Sequence, residues 1–537
     1  MREDSLRPEN FLWWERGIIY HVYPRSFMDS NGDGIGDLAG IHSKLDYLQW
    51  LGIDAIWISP INPSPMADFG YDISDYTDID PIFGSLAEFD SLLAEVHRRG
   101  LKLILDYVPN HTSDRHPWFI EARSSRSNAK RDWYIWRDAA NDGRPPNNWR
   151  SNFGGPAWEW DETTGQYFYH AFLKQQPDLN WRNPEVRAAM LAVLRFWLDR
   201  GVDGFRVDVM HHIIKDEEFR DNPPNPNFQP GMSPYRELLT TYSADRPEVH
   251  QIVEQMRAVI EEYDDRMLVG EIYLPVERLI TYYGASGRGA HLPFNFQLIA
   301  LPWQSRAIGD AMARYYGLLP TRAWPNWVLG NHDKPRLMSR IGAAQARVAA
   351  MLLLTLRGTP TLYYGDEIGM PSVPISAAQV RDPFEKNVPG LGLGRDPVRT
   401  PMQWDGSVNG GFSSAEPWLP LAADYATSNV ATQKADPVSL LMLYHRLIDL
   451  RRDEPALAVG EIVLLPTGEN ILAYVRKAGV RRLLIVLNLS PARGRFDLID
   501  LHCRARLRLS THLDRRAESL AAYLDLRSDE GVICELE

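Results

Sequence analysis

The chain has 537 residues, 44% of them apolar and 24% charged, which is enough for one large barrel with satellites and excludes a disulfide-stapled miniature. Its 58 basic residues stand against 70 acidic ones, a net charge of −12, so no global basic field exists to attract nucleic acid or anionic lipid. The cysteines are only Cys503 and Cys534, and neither an apolar leader after Met1-Arg2-Glu3-Asp4-Ser5 nor an apolar run of about 18 residues is evident, so a cytoplasmic protein with no membrane partner is expected.

In chain order, short apolar runs predict strands at 18–27, 55–60, 101–110, 202–209, 267–272, 292–296, 327–331 and 359–364. Helical patterns fall between them at 42–51, 86–99, 184–200, 247–263 and 343–357, several with Pro in the first turn or Gly just past the last. Alternation of this kind predicts an α/β fold, a (β/α)8 TIM barrel. From Asn110 to Gln176 the chain is rich in Trp, Asn, Gly and Pro without a helical period, which reads as a subdomain inserted after strand 3. Short alternating strands after Leu457 read as a C-terminal all-β domain. The expected boundaries are 1–109 and 177–457 for the barrel, 110–176 for the insert and 458–537 for a β-sandwich-like tail.

The first predicted strand runs into Asp29-Ser30-Asn31-Gly32-Asp33-Gly34-Ile35-Gly36-Asp37, with oxygen donors at every second residue and glycines for a tight turn. This is similar to the first part of an EF-hand loop, whose hard oxygens suit Ca²⁺ or Mg²⁺. Further on, acids follow the apolar runs: Asp106 before Asn110 and His111, Asp208 in Gly204-Phe205-Arg206-Val207-Asp208-Val209, Glu271 after Val269-Gly270, and Asp333 in Asn331-His332-Asp333. Catalytic groups of a barrel come from the C-terminal ends of its strands, and ionisable groups buried there unpaired cost several kcal/mol. Convergent carboxylates suggest glycosidic bond chemistry, and a chain with 17 Trp, 23 Tyr and 18 Phe has rings to spare as platforms for sugars.

These segments resemble the α-amylase superfamily, glycoside hydrolase family 13. The likeness runs from Trp13 into the C-terminal domain. It implies Asp208 as nucleophile, Glu271 as general acid/base and Asp333 as stabiliser of the transition state, with Arg206 keeping Asp208 ionised. His111 and His332 would grip sugar hydroxyls. The segment Gln176-Pro177-Asp178-Leu179-Asn180 is similar to the α-glucosidase and oligo-1,6-glucosidase branch. There, Asp68 before Gly70-Tyr71-Asp72 would pair with Arg395 and close the pocket around one terminal glucose. Tyr71 would stack on that sugar, Phe153 and Phe172 would line the entrance, and Val209 leans toward α-1,6 linkages. The resemblance also implies one structural Ca²⁺ or Mg²⁺ held by Asp29, Asn31, Asp33, Asp37 and the Ile35 carbonyl, and no organic cofactor. The expectation is a retaining exo-acting α-glucosidase, monomer or homodimer, releasing glucose from small oligosaccharides. Its rivals are a glucosyltransferase or a sucrose- or trehalose-type isomerase on the same scaffold, and a non-catalytic binding subunit.

Overall fold

The computed structural model describes residues 10–466 and 468–537. The N-terminal stretch read above for a leader lies outside the described residues.

Eleven strands precede the C-terminal domain: β1 (Ile19–Val22), β2 (Ala55–Ile58), β3 (Lys102–Tyr107), β4 (Trp136–Arg137), β5 (Trp158–Asp161), β6 (Gln166–Tyr169), β7 (Gly204–Val207), β8 (Met267–Gly270), β9 (Leu292–Pro293), β10 (Asn326–Val328) and β11 (Thr359–Tyr363). Eight of them form one parallel sheet in the order β10-β11-β1-β2-β3-β7-β8-β9, curled into a nearly closed barrel. No ladder joins β9 to β10 among the described residues. The Asn326 side chain bridges that seam instead, accepting from Asn295 N at 3.0 Å and donating to the Pro293 carbonyl. Between β3 and β7 the insert carries a small antiparallel sheet, β4-β6-β5.

Every predicted barrel strand is present but shorter than its apolar run. At the first, Pro24 lacks an N–H and presets a helical φ, so Pro24–Phe27 coils where extended chain was expected. The helices form for legible reasons. Ser85 caps Leu86–Arg98 by accepting from Glu88 N, and Phe89, Leu92, Leu93 and Val96 recur at helical spacing to bury one face. Asn183 and Pro184 start Pro184–Asp199 in the same manner. The helix expected at 343–357 begins earlier, at Leu337, and bends at Gly342, whose φ of 81° only glycine adopts cheaply.

That helix, Leu337–Thr355, is long and apolar enough by length and composition to cross a membrane. The expectation that no apolar run of about 18 residues occurs did not count this segment, which Arg340 and Arg347 interrupt. In the fold it is an interior helix: Val348 through Thr355 are buried, and Thr355 Oγ1 lies 2.6 Å from Tyr474 OH of the C-terminal domain.

That domain consists of β12 (Glu461–Leu464), β13 (Ile471–Ala478), β14 (Arg481–Asn488), β15 (Gly494–Asp497), β16 (Ala505–Ser510), β17 (Ser519–Leu520), β18 (Tyr523–Leu526) and β19 (Gly531–Leu536). Six strands pair in the order β12-β13-β14-β19-β16-β17, and β15 pairs with β18. Both cysteines lie here as free thiols.

Candidate active site

Strand register assembles the acids. β3 and β7 pair with Asp106 opposite Arg206, and β7 and β8 pair with Val207 opposite Gly270, which carries Asp208 and Glu271 side by side past the strand ends. Arg206 is 1% exposed. Its Nη1 lies 2.6 Å from Asp106 Oδ1 and 2.8 Å from Asp208 Oδ1, while Nη2 lies 2.7 Å from Glu271 Oε1. One guanidinium thus holds carboxylates from three neighbouring strands, geometry that a planar fork provides and an ammonium does not.

Three carboxylates around one cation leave excess negative charge in a buried place. Burial pushes Asp106 up to about 6. Burial also raises Asp208 well above the usual carboxylate range; Arg206 opposes this, but the charges of Glu271 and Asp106 add to it. The sequence expectation gave Arg206 the task of keeping Asp208 ionised, and Arg206 does act in that direction. It counted the arginine and not the two acids that share it. Asp208 thus feels the charge of Asp106, and both feel that of Glu271, around the arginine they share.

Asp333 sits in the opposite field. Burial raises its pKa, yet the net direction is far downward, through His332, Arg399 and Arg395. Burial keeps His332 itself neutral, so the two arginines are the cations that act at neutral pH. Arg399 Nη2 is 2.8 Å from Asp333 Oδ1 and Arg395 Nη1 is 3.6 Å away. Arg399 Nε also donates to the His332 carbonyl, fixing the loop after β10.

The closure pair forms across 327 positions: Arg395 Nη2 donates to Asp68 Oδ1 at 2.5 Å. The same nitrogen meets Asp382 Oδ1 at 2.6 Å, so Arg395 is clamped between two carboxylates, and its guanidinium lies 4.9 Å above the Phe153 ring. Phe153 packs on Phe172 and Phe384, and Phe172 reaches the His111 ring at 5.3 Å. Tyr71 lies parallel to His332 with its OH 2.8 Å from Nε2, and it also donates to Asp106 Oδ2. His111 Nε2 lies 3.1 Å from the Tyr71 carbonyl. Val209 is buried directly after Asp208. The structure thus brings Asp68, Tyr71, His111, Phe153, Phe172, Arg206, Asp208, Val209, Glu271, His332, Asp333 and Arg395 into one connected set of contacts.

Sequence reasoning missed several members of this set. Asp106 was noticed at a strand end but given no role; its two-residue offset from Asp208 in register is invisible without the β3–β7 pairing. Trp57 Nε1 donates to Asp106 Oδ2 from β2. Lys215, buried after β7, lies 2.5 Å from Asp178 Oδ2 and donates to Asn110 Oδ1, tying the end of the insert to the base of His111. The segment after Arg220 docks on the insert: Trp149 Nε1 donates to the Arg220 carbonyl and Asn148 N to Asp221 Oδ1. A cavity of about 440 Å³ lies beside this junction, lined by Trp136, Trp181, Lys215 and Phe219, and the carboxylate cluster does not border it.

The expected metal loop is closed by its own side chains. Asp29 Oδ1 accepts from Asn31 N and Gly32 N, Asn31 Oδ1 from Asp33 N, and Asp33 Oδ1 from Ile35 N; Asp37 caps Leu38–Ser43. Among the described residues no three His, Cys, Asp or Glu side chains gather to hold an ion. The residues fit a hard cation by donor chemistry only with Asn31 and the Ile35 carbonyl included, since every donor on offer is oxygen.

The alpha-amylase catalytic domain model matches residues 21–460. The chain belongs to the alpha-amylase family. It is 44% identical over 493 residues to a probable alpha-glucosidase of Rhizobium meliloti (strain 1021), covering 89% of each chain. It is 40% identical over 528 residues to an oligo-1,6-glucosidase of Parageobacillus thermoglucosidasius, covering 91% of this chain and 92% of the relative. A crystal structure of an alpha-glucosyl transfer enzyme superposes with a TM-score of 0.93 at 39% identity, covering 98% of this chain and 100% of that chain.

Proposed function

We propose that this glycoside hydrolase is a retaining, exo-acting α-glucosidase that removes terminal non-reducing glucose from short α-1,4- or α-1,6-linked oligosaccharides. The observation that carries the reading is the single guanidinium shared by Asp208 and Glu271. It favours the close carboxyl spacing of a double-displacement enzyme, about 5–5.5 Å, over the wider gap that an inverting enzyme needs for water.

Asp208 attacks the anomeric carbon while Glu271 protonates the departing oxygen. Asp333, held ionised by Arg399 and Arg395, stabilises the positive charge that develops on the sugar. Water then replaces the aglycone and Glu271 takes its proton. Support for exo action is the Asp68–Arg395–Asp382 clamp, which on this reading would close the site beyond one glucose unit. In the loop after β1, Asp29, Asn31, Asp33, Asp37 and the Ile35 carbonyl would hold a Ca²⁺ or Mg²⁺ ion that ties the loop together and takes no part in the chemistry.

Asp208→Asn should abolish turnover of an aryl α-glucoside in a protein that melts normally; near-normal activity would sink the assignment. Proton NMR of the first glucose released should show the α-anomer. The similarity to a glucosyl transfer enzyme favours a second reading, in which a sugar hydroxyl competes with water for the intermediate. Counting glucose and oligosaccharide products at high maltose, isomaltose and sucrose separates the two, and disaccharide isomers without free glucose would contradict hydrolysis.

A further inference from the structure

The residue after the proposed nucleophile is folded in a way its side chain resists. Val209 has φ 37° and ψ 45°, the left-handed region, which a β-branched residue occupies only when its surroundings impose it. Such outliers gather where backbone geometry serves the site.

The local contacts say what this one does. The turn directs two successive main-chain donors at one residue: Val209 N donates to Glu271 Oε2 at 2.8 Å, and Met210 N donates to the Glu271 carbonyl at 3.1 Å. Glu271 N in turn donates to the Val207 carbonyl. Gly270 permits this approach, since a Cβ there would stand 2.8 Å from the Met210 sulfur. An extended residue at 209 would continue the strand and carry the Met210 N–H away from the Glu271 carbonyl.

We propose that the strained turn at Val209 is a positioning device that fixes Glu271 Oε2 and leaves Oε1 as the working oxygen, a role that rests on reading Glu271 as the acid/base. Both oxygens have a partner, but the partners differ in kind: Val209 N donates a hydrogen bond to Oε2, whereas Arg206 Nη2 forms an ion pair with Oε1 at 2.7 Å. Arg206 has Asp106 and Asp208 to turn toward, whereas the Val209 N–H is held by the chain and has no other acceptor among the described residues. The oxygen that sheds its donor is therefore Oε1. In the first step its proton passes to the glycosidic oxygen as the bond from that oxygen to the anomeric carbon breaks and Asp208 bonds to the carbon. In the second step water bonds to the carbon, the Asp208 ester bond breaks, and the water's proton returns to Oε1.

The test compares leaving groups. Val209→Pro removes the donor and forbids positive φ, whereas Val209→Asn keeps the donor and tolerates the left-handed region. Acid assistance matters for a poor leaving group and little for dinitrophenolate, so Val209→Pro should lose about 100-fold more kcat/KM on isomaltose than on 2,4-dinitrophenyl α-glucoside. Val209→Asn should recover most of that difference. Equal losses on both substrates would mean a merely structural role and overturn the proposal.

Because proline can unfold the turn, amide exchange across residues 207–211 is measured in parallel on wild type and Glu271→Ala. The Val209 amide should exchange at least about tenfold faster once its acceptor is gone. Unchanged exchange would also overturn the proposal. Azide rescue of Glu271→Ala on an activated aryl α-glucoside judges the underlying reading separately: without rescue, Glu271 loses its acid/base role and the turn its purpose, while the exchange result still stands.

Discussion

Arg206→Lys keeps the charge at the centre of the site and removes its shape. In the wild type three contacts of 2.6, 2.8 and 2.7 Å join Arg206 to Asp106, Asp208 and Glu271. A single ammonium on a shorter reach cannot span all three, so one or two carboxylates lose their partner. Hydrogen bonds to charged groups are each worth about 1.5–3 kcal/mol, so the expected loss is about 2–5 kcal/mol. At 1.36 kcal/mol per tenfold, kcat/KM should fall about 30- to 5,000-fold. The assay is kcat/KM on an aryl α-glucoside across a pH series, with a thermal melt to confirm folding. Fewer donors on the carboxylates should also move the acid limb to higher pH. Activity within about fivefold of wild type would refute the idea that bridging geometry, and not charge alone, organises these acids.

Asp106→Asn removes one of the negative charges that raise Asp208, so the acid limb of kcat/KM should move to lower pH; an upward move contradicts the three-acids-on-one-cation account. The stability sign is also fixed: burial raises Asp106 to about 6, so its folded form binds a proton that the unfolded chain releases near its ordinary value of 3.8, and stability drops as pH rises between the two. A denaturation series should show that drop shrink in Asp106→Asn. Asp68→Ala leaves Arg395 with Asp382 and opens the clamp, and should cut the preference for disaccharides over long glucans by about tenfold, read from initial rates. Removing divalent ions with EDTA should lower the melting temperature by about 2 °C or more, with Ca²⁺ or Mg²⁺ restoring it; an unmoved melt would show that the Asp29–Asp37 loop stands on its hydrogen bonds alone.

What was legible in the sequence followed from local rules. Asp208, Glu271 and Asp333 stand where an apolar run meets a polar residue, and the barrel's alternation is written in Pro and Gly punctuation. What was not legible depends on pairing. Asp382 lies in a stretch without periodicity, 13 positions before Arg395, and nothing in its neighbours marks it as the second jaw of a clamp. The upward push on the Asp208 pKa escaped the sequence because it is a sum over charges that only the β3–β7–β8 register brings together. The strain at Val209 escaped for the opposite reason: valine advertises extended chain, and tertiary contact overrides it.

The seam between β9 and β10 sets a mechanical condition on catalysis. Glu271 rides on the β8 side of it and Asp333 follows β10 on the other. Among the described residues, seven of the barrel's eight junctions are main-chain ladders, whereas this one is stitched by the Asn326 amide. If the barrel flexes most at its one joint without a ladder, thermal breathing widens the gap between Glu271 and Asp333, the proposed acid/base and stabilising carboxylate. Loss of activity on warming should then precede loss of the fold, and Asn326→Ala should widen the interval between the two.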